Sequence, residues 1–322
     1  MSAHNTLNSP CMMGDHLSSC PVCLAGDLQK NYIISKAGFL SLPSHPHSLC
    51  RSCGSVLLDP RPSAEQLKAF YQSQTLEAEI ERDVAQNSAD RILDPVKYAY
   101  FMEHRIKPLS QFLDPDKPIF DVGCGVGAFV KAMKDLHYTI AGSDLSLVSL
   151  QVGKELFGLS SDELLLGDMC DIAGRESYGC ITLWTVIEHL LNPAEYLQFV
   201  YGRLDTGGIL LVEFPTVDSL MFEYCKDDFF WVMPPYHIYL YSVRGMKIML
   251  ERAGFELLLE HRMPRNWNFF EVLARKSGCP AALLQRLRIE APDFGYSVDV
   301  LLDDIALSLG KSSSIQLIAR KK

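Results

Sequence analysis

The sequence predicts an α/β fold in which helices cover both faces of a mostly parallel β-sheet. After residue 116, short runs rich in β-branched and aromatic residues alternate with longer runs of helical periodicity. This rhythm is typical of β-α-β units, whose strands are buried on both faces. The runs predicted as strands are "PIFDVG", "TIAGSDL", "ELLLGDM", "CITLWTVI" and "GILLVEFP", and those predicted as helices are "GAFVKAMKDL", "LVSLQVGKELFG" and "PAEYLQFVYGRL".

Composition limits the classes of protein to consider. The 322 residues are 48% apolar and 21% charged, which suits a soluble globular chain with one large core or two domains. The net charge of −9 disfavours RNA or DNA as a partner. No apolar run reaches the roughly 18 to 20 residues that span a bilayer, and the start lacks the order of a signal peptide. These features predict a cytoplasmic protein without membrane contact, whereas the oligomeric state stays open.

Changes in composition and periodicity along the sequence divide the chain into segments. Prolines after the second cysteine pair end an extended stretch, and Ser63 with Gln66 has the spacing of a capping box that begins a helix. The predicted segments are a disordered tail at 1–18, a zinc-binding module at 19–58, a helical linker at 59–115 and a catalytic domain at 116–322. Within the last, we predict a substrate lid at 218–245 and an insertion at 276–313.

Two C-x-x-C pairs predict a structural zinc site. The four cysteines are Cys20, Cys23, Cys50 and Cys53, with about 26 residues between the pairs. Four thiolates in a tetrahedron form a closed site with no open position for catalysis. A redox pair or reduced core cysteines are the alternatives. The paired spacing favours four sulfurs over a nitrogen from His45 or His47, which lie between the pairs.

Three glycines follow the first predicted strand of the large sheet. In such sheets a ligand lies beyond the carboxyl ends of the strands, where the first strand turns into the first helix. Gly123, Gly125 and Gly127 occupy this turn, and bare backbone lets a ligand approach the amides closely. The spacing also satisfies the dinucleotide fingerprint, so a nicotinamide or flavin enzyme has to be considered.

Acidic residues at successive strand ends decide between these ligands. Asp121 comes just before the glycines, where its charge would repel a pyrophosphate but attract an ammonium group. Asp144 ends the second strand and is placed to accept both ribose hydroxyls. Asp168 follows the third strand and suits an adenine amine, although an aspartate there is also often a turn or helix cap. Ammonium, ribose and adenine in this order describe S-adenosylmethionine.

From about residue 117 to 275, the chain resembles the class I S-adenosylmethionine-dependent methyltransferases. The resemblance is carried by "DVGCGVG", "SDLS", "GDM" and "ITLWTVIEHLLNP", in this order and spacing. It implies a Rossmann-like, seven-stranded sheet whose last strand is antiparallel, with "FELLLEHRM" and "SIQLIARKK" as the final pair. The cofactor-binding residues that it implies are Asp121, Gly123, Gly125, Gly127, Asp144, Leu145, Asp168 and Met169. Trp184 and His189 are candidates beside the cofactor, with ordinary packing as the alternative.

The aromatic and proline-rich lid contains the candidate catalytic residues. His237, followed by Tyr241 and Ser242, resembles an "H-x-x-x-(Y/F)-S" element of small-molecule methyltransferases. In related sugar C-methyltransferases with a zinc module, the matching histidine is proposed as a general base and is preceded by glutamate. Here Tyr236 stands in place of that glutamate. We therefore predict His237 as the base, with ordering of the lid as the alternative, and place Tyr236 beside it.

The N-terminal part carries a second resemblance. "CRSCGSVLLDPRPSAEQLKAFYQ" is similar to an element that precedes the methyltransferase core in bacterial enzymes of surface-polysaccharide and natural-product biosynthesis. This implies a small-molecule acceptor, such as a sugar, nucleotide sugar or natural-product intermediate, methylated on oxygen or carbon. Tyr71 and Tyr98 are candidates for the acceptor wall. The alternatives are a zinc-containing RNA or protein methyltransferase, and a binding protein that keeps the fold without catalysis.

Overall fold

A computed structural model of the chain describes residues 16–34, 45–67, 85, 88–172, 177–263, 269–280, 282–284, 286 and 292–322. Two sheets organise them. The larger sheet has seven strands, in the order β10-β11-β8-β7-β4-β5-β6. Its strands are β4 (Ile119–Val122), β5 (Ile140–Asp144), β6 (Leu164–Leu166), β7 (Tyr178–Trp184), β8 (Leu204–Pro215), β10 (Phe255–Met263) and β11 (Ser314–Lys321).

The strand directions match the predicted fold class. Strand β11 runs antiparallel to both of its neighbours, β8 and β10, and the other neighbouring pairs are parallel. The seven-stranded sheet with its antiparallel last strand is thus confirmed, as are the five strands predicted from the apolar runs. Because β4, β5 and β6 lie side by side and parallel, their carboxyl ends meet at one edge of the sheet.

Helices pack against both sheets. Their bounds are α1 (Pro95–Phe101), continued by a π-helical segment (Met102–Ile106) and a last turn (Lys107–Ser110), then α2 (Ala128–Asp135), α3 (Leu147–Phe157), α4 (Pro193–Arg203), α5 (Leu220–Cys225), α6 (Val243–Arg252), α7 (Phe269–Lys276) and α8 (Pro292–Ser308). Helices α1 to α4 and α6 cover the two faces of the large sheet, whereas α5, α7 and α8 contribute to a cluster with the smaller sheet. The helices predicted after "DVGCGVG", after Asp144 and from the proline at 193 are all present.

Burial on both faces explains why the strands read as continuous apolar runs. Successive residues of a strand point to opposite faces. Leu210 therefore packs into the cluster that includes α4 and α6, and Leu211 packs into the cluster that includes α1, α2 and α3. Both side chains are fully buried. A sheet between two helical layers buries both of its faces. Its strands therefore need apolar residues at successive positions and not only at every second one.

Among the described residues of the predicted linker, helix is present at 64–67, at 88–93 and from 95 to 110. The capping box is confirmed, because the Ser63 amide donates to Gln66 Oε1 (2.7 Å) and the Gln66 amide donates to Ser63 Oγ (3.2 Å). The later helix, with its continuation, buries Phe101, Ile106 and Leu109. Tyr98 is partly buried against the same cluster. The prediction for Tyr71 lies outside the described residues, as does most of the predicted tail.

The smaller sheet joins distant parts of the chain. Its order is β1 (Leu28–Ile34), β2 (Pro46–Cys50), β3 (Val56–Leu58) and β9 (Tyr239–Leu240), with all pairs antiparallel. Strand β9 belongs to the segment predicted as a lid, so the N-terminal segment and the lid share one sheet. The predicted insertion contains α8, and β10 and β11 flank α7 and α8 in sequence. Among the described residues, no helix combines the length and apolar character needed to span a membrane.

Candidate functional site

The glycine loop after β4 has an unusual backbone. Gly123, Gly125 and Gly127 all have positive φ, at 65°, 55° and 73°, a region that favours glycine. At Gly123 an added Cβ would lie 2.5 Å from Val186 Cγ2, so the backbone passes close to the segment after β7. At Gly125 an added Cβ would meet no atom within 4 Å. The loop is therefore tightly packed at its start and open at its middle, where a ligand has room to approach the backbone.

Asp121 lies beneath this loop. Its side chain is 1% exposed, and Thr182 Oγ1 on the neighbouring strand donates to Asp121 Oδ1 (2.7 Å). Burial raises the pKa of Asp121 to about 7, while the hydrogen bond from Thr182 and the charge of Arg105 lower it. A carboxyl group in this state gains or loses its proton near neutral pH. A cation placed nearby would favour the ionised form.

Asp144 braces the loop from the end of β5. Its Oδ2 accepts from the Gly125 amide (2.8 Å), and its Oδ1 accepts from the Ser146 amide (2.8 Å). Each carboxylate oxygen has more than one lone-pair site, so these bonds leave capacity for a ligand hydroxyl. The next side chain, Leu145, is 73% exposed at the same edge. An exposed apolar surface beside a carboxylate suits a flat ring attached to a sugar.

The third acid takes part in a turn. Asp168 Oδ1 accepts from the Cys170 amide (2.8 Å) and from the Tyr196 hydroxyl (3.2 Å). The side chain of Met169 is fully buried in the core, so any contact of Met169 with a ligand would involve its backbone. Beside this turn lies a cavity of about 270 Å³, lined by Cys170, Leu190, Leu191, Asn192, Glu195 and Tyr196.

Trp184 ends β7 and is buried against Phe129, with the ring centroids 5.1 Å apart. Its indole nitrogen, Nε1, is buried and has no hydrogen-bond partner among the described residues. The guanidinium carbon of Arg105 lies 5.0 Å from the centre of the indole ring. The structure therefore brings a cation and an indole donor to the carboxyl end of the central strands.

Arg105 is a residue that the sequence analysis missed. It lies in the π-helical segment, and its Nη2 donates to Glu213 Oε1 at 2.5 Å. Both side chains are buried, and Gln316 Nε2 donates to the other carboxylate oxygen of Glu213 (3.2 Å). The sequence pattern that could have indicated this residue is a single arginine on the apolar side of a helix, four residues after Phe101. Long charged side chains are rarely buried unless they are paired, so this position indicated a partner.

A second cluster lies between the turn after β7 and the lid. Glu188 and His189 belong to a 3-10 turn (Ile187–His189), and His237 comes from the lid. The rings of His189 and His237 meet edge to face at 4.7 Å. The backbone carbonyl of Glu188 also accepts from the Ile238 amide (3.0 Å), which joins the segment predicted as a lid to the turn.

Hydrogen bonds to the backbone orient both histidines. His237 Nδ1 donates to the carbonyl of Trp231 (2.8 Å), and His189 Nδ1 donates to the carbonyl of Tyr236 (2.9 Å). Burial lowers the pKa of both imidazoles, that of His237 to about 3. Both rings are therefore neutral at physiological pH. Tyr236, predicted beside the base, contributes its backbone carbonyl to the orientation of His189.

The four cysteines of the two pairs come together as the spacing predicts. Cys20 Sγ lies 3.8 Å from Cys53 Sγ, and Cys23 Sγ lies 3.5 Å from Cys50 Sγ. All four sulfurs lie within 4.8 Å of one another. A tetrahedral zinc ion with bonds of about 2.3 Å separates its sulfurs by about 3.8 Å, so the cluster fits this ion. His47 is instead buried in β2, with its Nδ1 bonded to the carbonyl of His45.

A profile of the methyltransferase domain family matches residues 96–260, about half of the chain. The chain belongs to the class I S-adenosylmethionine-dependent methyltransferase family. The matched region contains the glycine loop, the three acids and the Glu188–His237 cluster.

This methyltransferase is similar to curated proteins over part of its length. It is 27% identical over 128 residues to a ubiquinone biosynthesis O-methyltransferase from Dinoroseobacter shibae, covering 37% of this chain and 52% of the relative. It is 30% identical over 106 residues to the mitochondrial ubiquinone biosynthesis O-methyltransferase of Candida albicans, covering 31% and 32%. The matches thus span about a third to a half of these relatives.

Solved structures are similar at low sequence identity. The [4+2]-cyclase SpnF has a TM-score of 0.49 at 18% identity, with 81% of this chain and 97% of that chain covered. A putative methyltransferase from Bacillus halodurans has a TM-score of 0.45 at 20% identity, with 67% and 98% covered.

The site of this methyltransferase suits the family's cofactor. Open space over Gly125, two acids at adjacent strand ends and an exposed Leu145 together offer places for a cationic amino acid, a ribose and an adenine. Trp184, whose buried indole nitrogen has no hydrogen-bond partner among the described residues, ends β7 at the same edge. Acids in these positions suit a sulfonium nucleoside better than a dinucleotide, because a pyrophosphate would meet Asp121.

Proposed function

We propose that this methyltransferase moves a methyl group from S-adenosylmethionine to an oxygen or carbon of a small-molecule acceptor. The observation that carries the proposal is the position of the glycine loop, braced by Asp144 and underlain by Asp121, at the same sheet edge as the lid histidine His237. When bound, the cofactor supplies a methyl group on a positively charged sulfur. Positioning of the acceptor for in-line attack contributes much of the rate in such a reaction.

The cofactor residues divide by the chemistry of the ligand. Asp121 and the backbone of Gly123, Gly125 and Gly127 would hold the amino-acid end. Asp144 and Leu145 would hold the ribose and one face of the adenine. Asp168 and the backbone of Met169 would hold the adenine edge, beside the 270 Å³ cavity. Trp184 and His189 would lie beside the sulfonium end of the cofactor, where the methyl group is transferred.

The acceptor side depends on the lid. His237 is neutral and oriented by the carbonyl of Trp231. A pKa of about 3 makes this imidazole a weak base in the free enzyme, so removal of the acceptor's proton by His237 requires that the bound acceptor and cofactor raise its pKa. Tyr236 and the aromatic ring of Trp231 lie next to it in the lid, and Trp231 stacks on His237 with centroids 5.6 Å apart. Ubiquinone biosynthesis O-methyltransferases among the relatives support an oxygen acceptor on a small organic molecule.

The proposal includes one zinc ion held by Cys20, Cys23, Cys50 and Cys53, with a structural role. The cluster is closed by four sulfurs, so it offers no position for a substrate. The division into a zinc module, a helical linker and a catalytic domain belongs to the same proposal. The zinc module is not formed by its own segment alone, because the predicted lid supplies β9 to the four-stranded sheet that contains β1, β2 and β3. The cytoplasmic location stays a prediction.

The test is to incubate the full chain with methyl-labelled S-adenosylmethionine and fractionated small molecules, including nucleotide sugars and phenols. We expect label to appear in a low-molecular-weight product. Label only in RNA or protein would favour the alternative macromolecular methyltransferase. Absence of label from every fraction, with the cofactor bound, would favour a binding protein.

A variant addresses His237 directly. His237→Ala should leave cofactor affinity nearly intact and lower turnover by about tenfold or more, because general acid-base groups contribute at least this much. His261→Ala, which removes a half-buried histidine on β10, is the control and should retain turnover. Unchanged turnover in His237→Ala would remove this residue from the mechanism.

A further inference from the structure

We propose that Glu188, His189 and His237 bind one divalent cation that holds the methyl acceptor through its oxygen atoms. The inference rests on the proposed function and specifies the chemistry of its acceptor site. It also gives His237 a role as a metal ligand, as the alternative to direct proton removal by its imidazole.

The three side chains meet in a compact group. One carboxylate oxygen of Glu188 and one ring nitrogen from each histidine lie within 4.8 Å of one another. Glu188 is fully buried and His237 is 4% exposed, while His189 is half-buried and forms the more open side. Among the described residues, the cysteine cluster is the other group with this property. With Glu188 and His237 buried and His189 partly exposed, a cation and its acceptor would approach from the His189 side.

The histidine tautomers favour metal binding. A carbonyl oxygen can only accept a hydrogen bond, so the Nδ1 atoms of His189 and His237 both carry the proton. The lone pair of each neutral ring is therefore on Nε2. Metal-binding histidines generally donate their other ring N–H to a carbonyl or carboxylate in this way, which fixes the ring for the ion. Here both rings have that second bond in place. The carbonyl of Thr185 also lies near the His189 ring, so His189 has to leave this contact to bind a cation through Nε2.

The ligand set indicates the kind of cation. Two neutral imidazoles with one carboxylate suit zinc, iron, cobalt or manganese, whereas calcium and magnesium prefer sites built from oxygen. Three protein ligands leave at least one open position. A dication with one carboxylate has a net charge of +1, which favours an acceptor that binds as an anion. An acceptor with two neighbouring oxygens would occupy two positions and fix its orientation.

The reaction at such a site balances without another reactant. The bound cation lowers the pKa of the acceptor hydroxyl, whose proton passes to solvent. The oxygen then forms a bond to the methyl carbon while the carbon–sulfur bond breaks. The electron pair of that bond stays on sulfur, which leaves as a neutral thioether. The side chain of His237 stays neutral throughout.

The stacking of Trp231 on His237 supplies a direct probe. Their ring planes are 19° apart, so a paramagnetic ion bound to His237 should quench the fluorescence of Trp231. The experiment titrates Co²⁺ into the full-length chain with zinc already at the cysteines, with calorimetry in parallel. Zinc should stay there, because thiolates prefer Zn²⁺ to Co²⁺. We expect one Co²⁺ per chain, saturable quenching and a cobalt spectrum without intense sulfur-to-metal bands.

Variants locate the site. Glu188→Gln and His189→Gln should each weaken Co²⁺ binding by about tenfold or more. Trp231→Phe should lose most of the quenching and keep the calorimetric signal. The matched control His261→Gln should bind as the wild type does. Absence of binding by the wild type up to about 1 mM, or unchanged affinity in both ligand variants, would overturn the proposal. The wild-type stoichiometry and spectrum decide the question if a variant fails to fold.

Binding of demethylated cofactor, S-adenosylhomocysteine, separates this inference from the function on which it rests. The wild type and Glu188→Gln should bind that product alike, and metal-stripped enzyme should regain turnover on addition of Co²⁺ or Mn²⁺. Product binding and methyl transfer without any second cation would overturn the cation site alone. Cation binding without affinity for the product would instead contradict the proposed function.

Discussion

Ser242 Oγ donates a 2.6 Å hydrogen bond to the backbone carbonyl of Cys53. This bond joins the N-terminal cap of α6, five residues after His237, to the last of the four clustered cysteines. Ser55 Oγ accepts from the Ser242 amide (3.2 Å), and β3 pairs with β9 in the same region. The segment that contains the four cysteines therefore supports the segment that carries the candidate catalytic histidine.

Loss of the Ser242 hydroxyl should weaken this connection. Ser242 Oγ also accepts from the Gly245 amide (2.8 Å) as the cap of α6. We expect Ser242→Ala to lower the free energy of unfolding by about 1–3 kcal/mol, since it removes a cap and leaves a buried carbonyl without this donor. Urea unfolding measures the effect.

A second cap provides the control. Ser146 caps α3 and accepts from the Ser149 amide (2.9 Å), far from the zinc cluster. Ser146→Ala should cost about 1 kcal/mol and leave zinc affinity unchanged. Ser242→Ala should in addition release zinc more readily to a chelator. Equal zinc release by both variants would contradict the coupling.

Gly123 at the start of the loop and Gly125 at its middle should respond differently to alanine. Both have positive φ, which costs an L-residue about 1–2 kcal/mol. At Gly123 the new methyl group would also collide with Val186, whereas at Gly125 it would enter open space. Gly123→Ala should mainly lower the melting temperature, and Gly125→Ala should mainly lower cofactor affinity. Thermal melts and calorimetry on both variants separate the effects, and the reverse order would contradict the position of the ligand.

Asp121 should make stability depend on pH. Burial raises the pKa of Asp121 to about 7, above the value of about 4 in an unfolded chain. The folded protein thus holds this proton more tightly, so its contribution to stability is present below about pH 4 and is lost as pH rises towards 7. Asp121→Asn removes this loss. Its melting temperature should fall less than that of the wild type between about pH 5 and pH 8.

The pH comparison has a simple control. Asp162 is an exposed carboxylate, and Asp162→Asn should keep the wild-type pH dependence. Identical pH dependence in Asp121→Asn and the wild type would show that the buried carboxyl is not raised in pKa.

The buried pair of Arg105 and Glu213 should be costly to break from one side. Arg105→Met leaves the Glu213 carboxylate buried beside an apolar group, for which we expect a loss of about 3–5 kcal/mol. The double variant Arg105→Met/Glu213→Gln should recover much of that loss. The half-exposed pair of Arg320 and Glu256 is the control, and Arg320→Met should cost less than about 1 kcal/mol. Additive effects in the double variant would contradict this account.

Local patterns were sufficient to predict the five parallel strands of the large sheet. These strands are short apolar runs that alternate with helical runs, and this alternation predicts parallel pairing. The count of seven strands and the antiparallel last strand came from the family resemblance. The capping box of Ser63 and Gln66 was also visible, since its two residues are three positions apart. The cysteine spacing predicted the sulfur cluster for the same reason, as each pair is local.

Long-range pairings were not visible in the sequence. Strand β9 has only two residues. Tyr239 in this strand pairs with Leu57 in β3, which is far away in the chain. Arg105 and Glu213 are likewise distant in sequence, and a lone arginine in an apolar pattern does not identify its partner. The contact of His189 with His237 depends on the path of the lid, which aromatic and proline content alone does not determine.

Isothermal titration calorimetry on the full, zinc-loaded chain tests the central claim most directly. Separate titrations with S-adenosylhomocysteine and with NADH should give saturable one-to-one binding of the sulfur nucleoside and no heat from the dinucleotide. Tight binding of NADH, with no response to S-adenosylmethionine or its product, would contradict the assignment of Asp121 and its glycine loop.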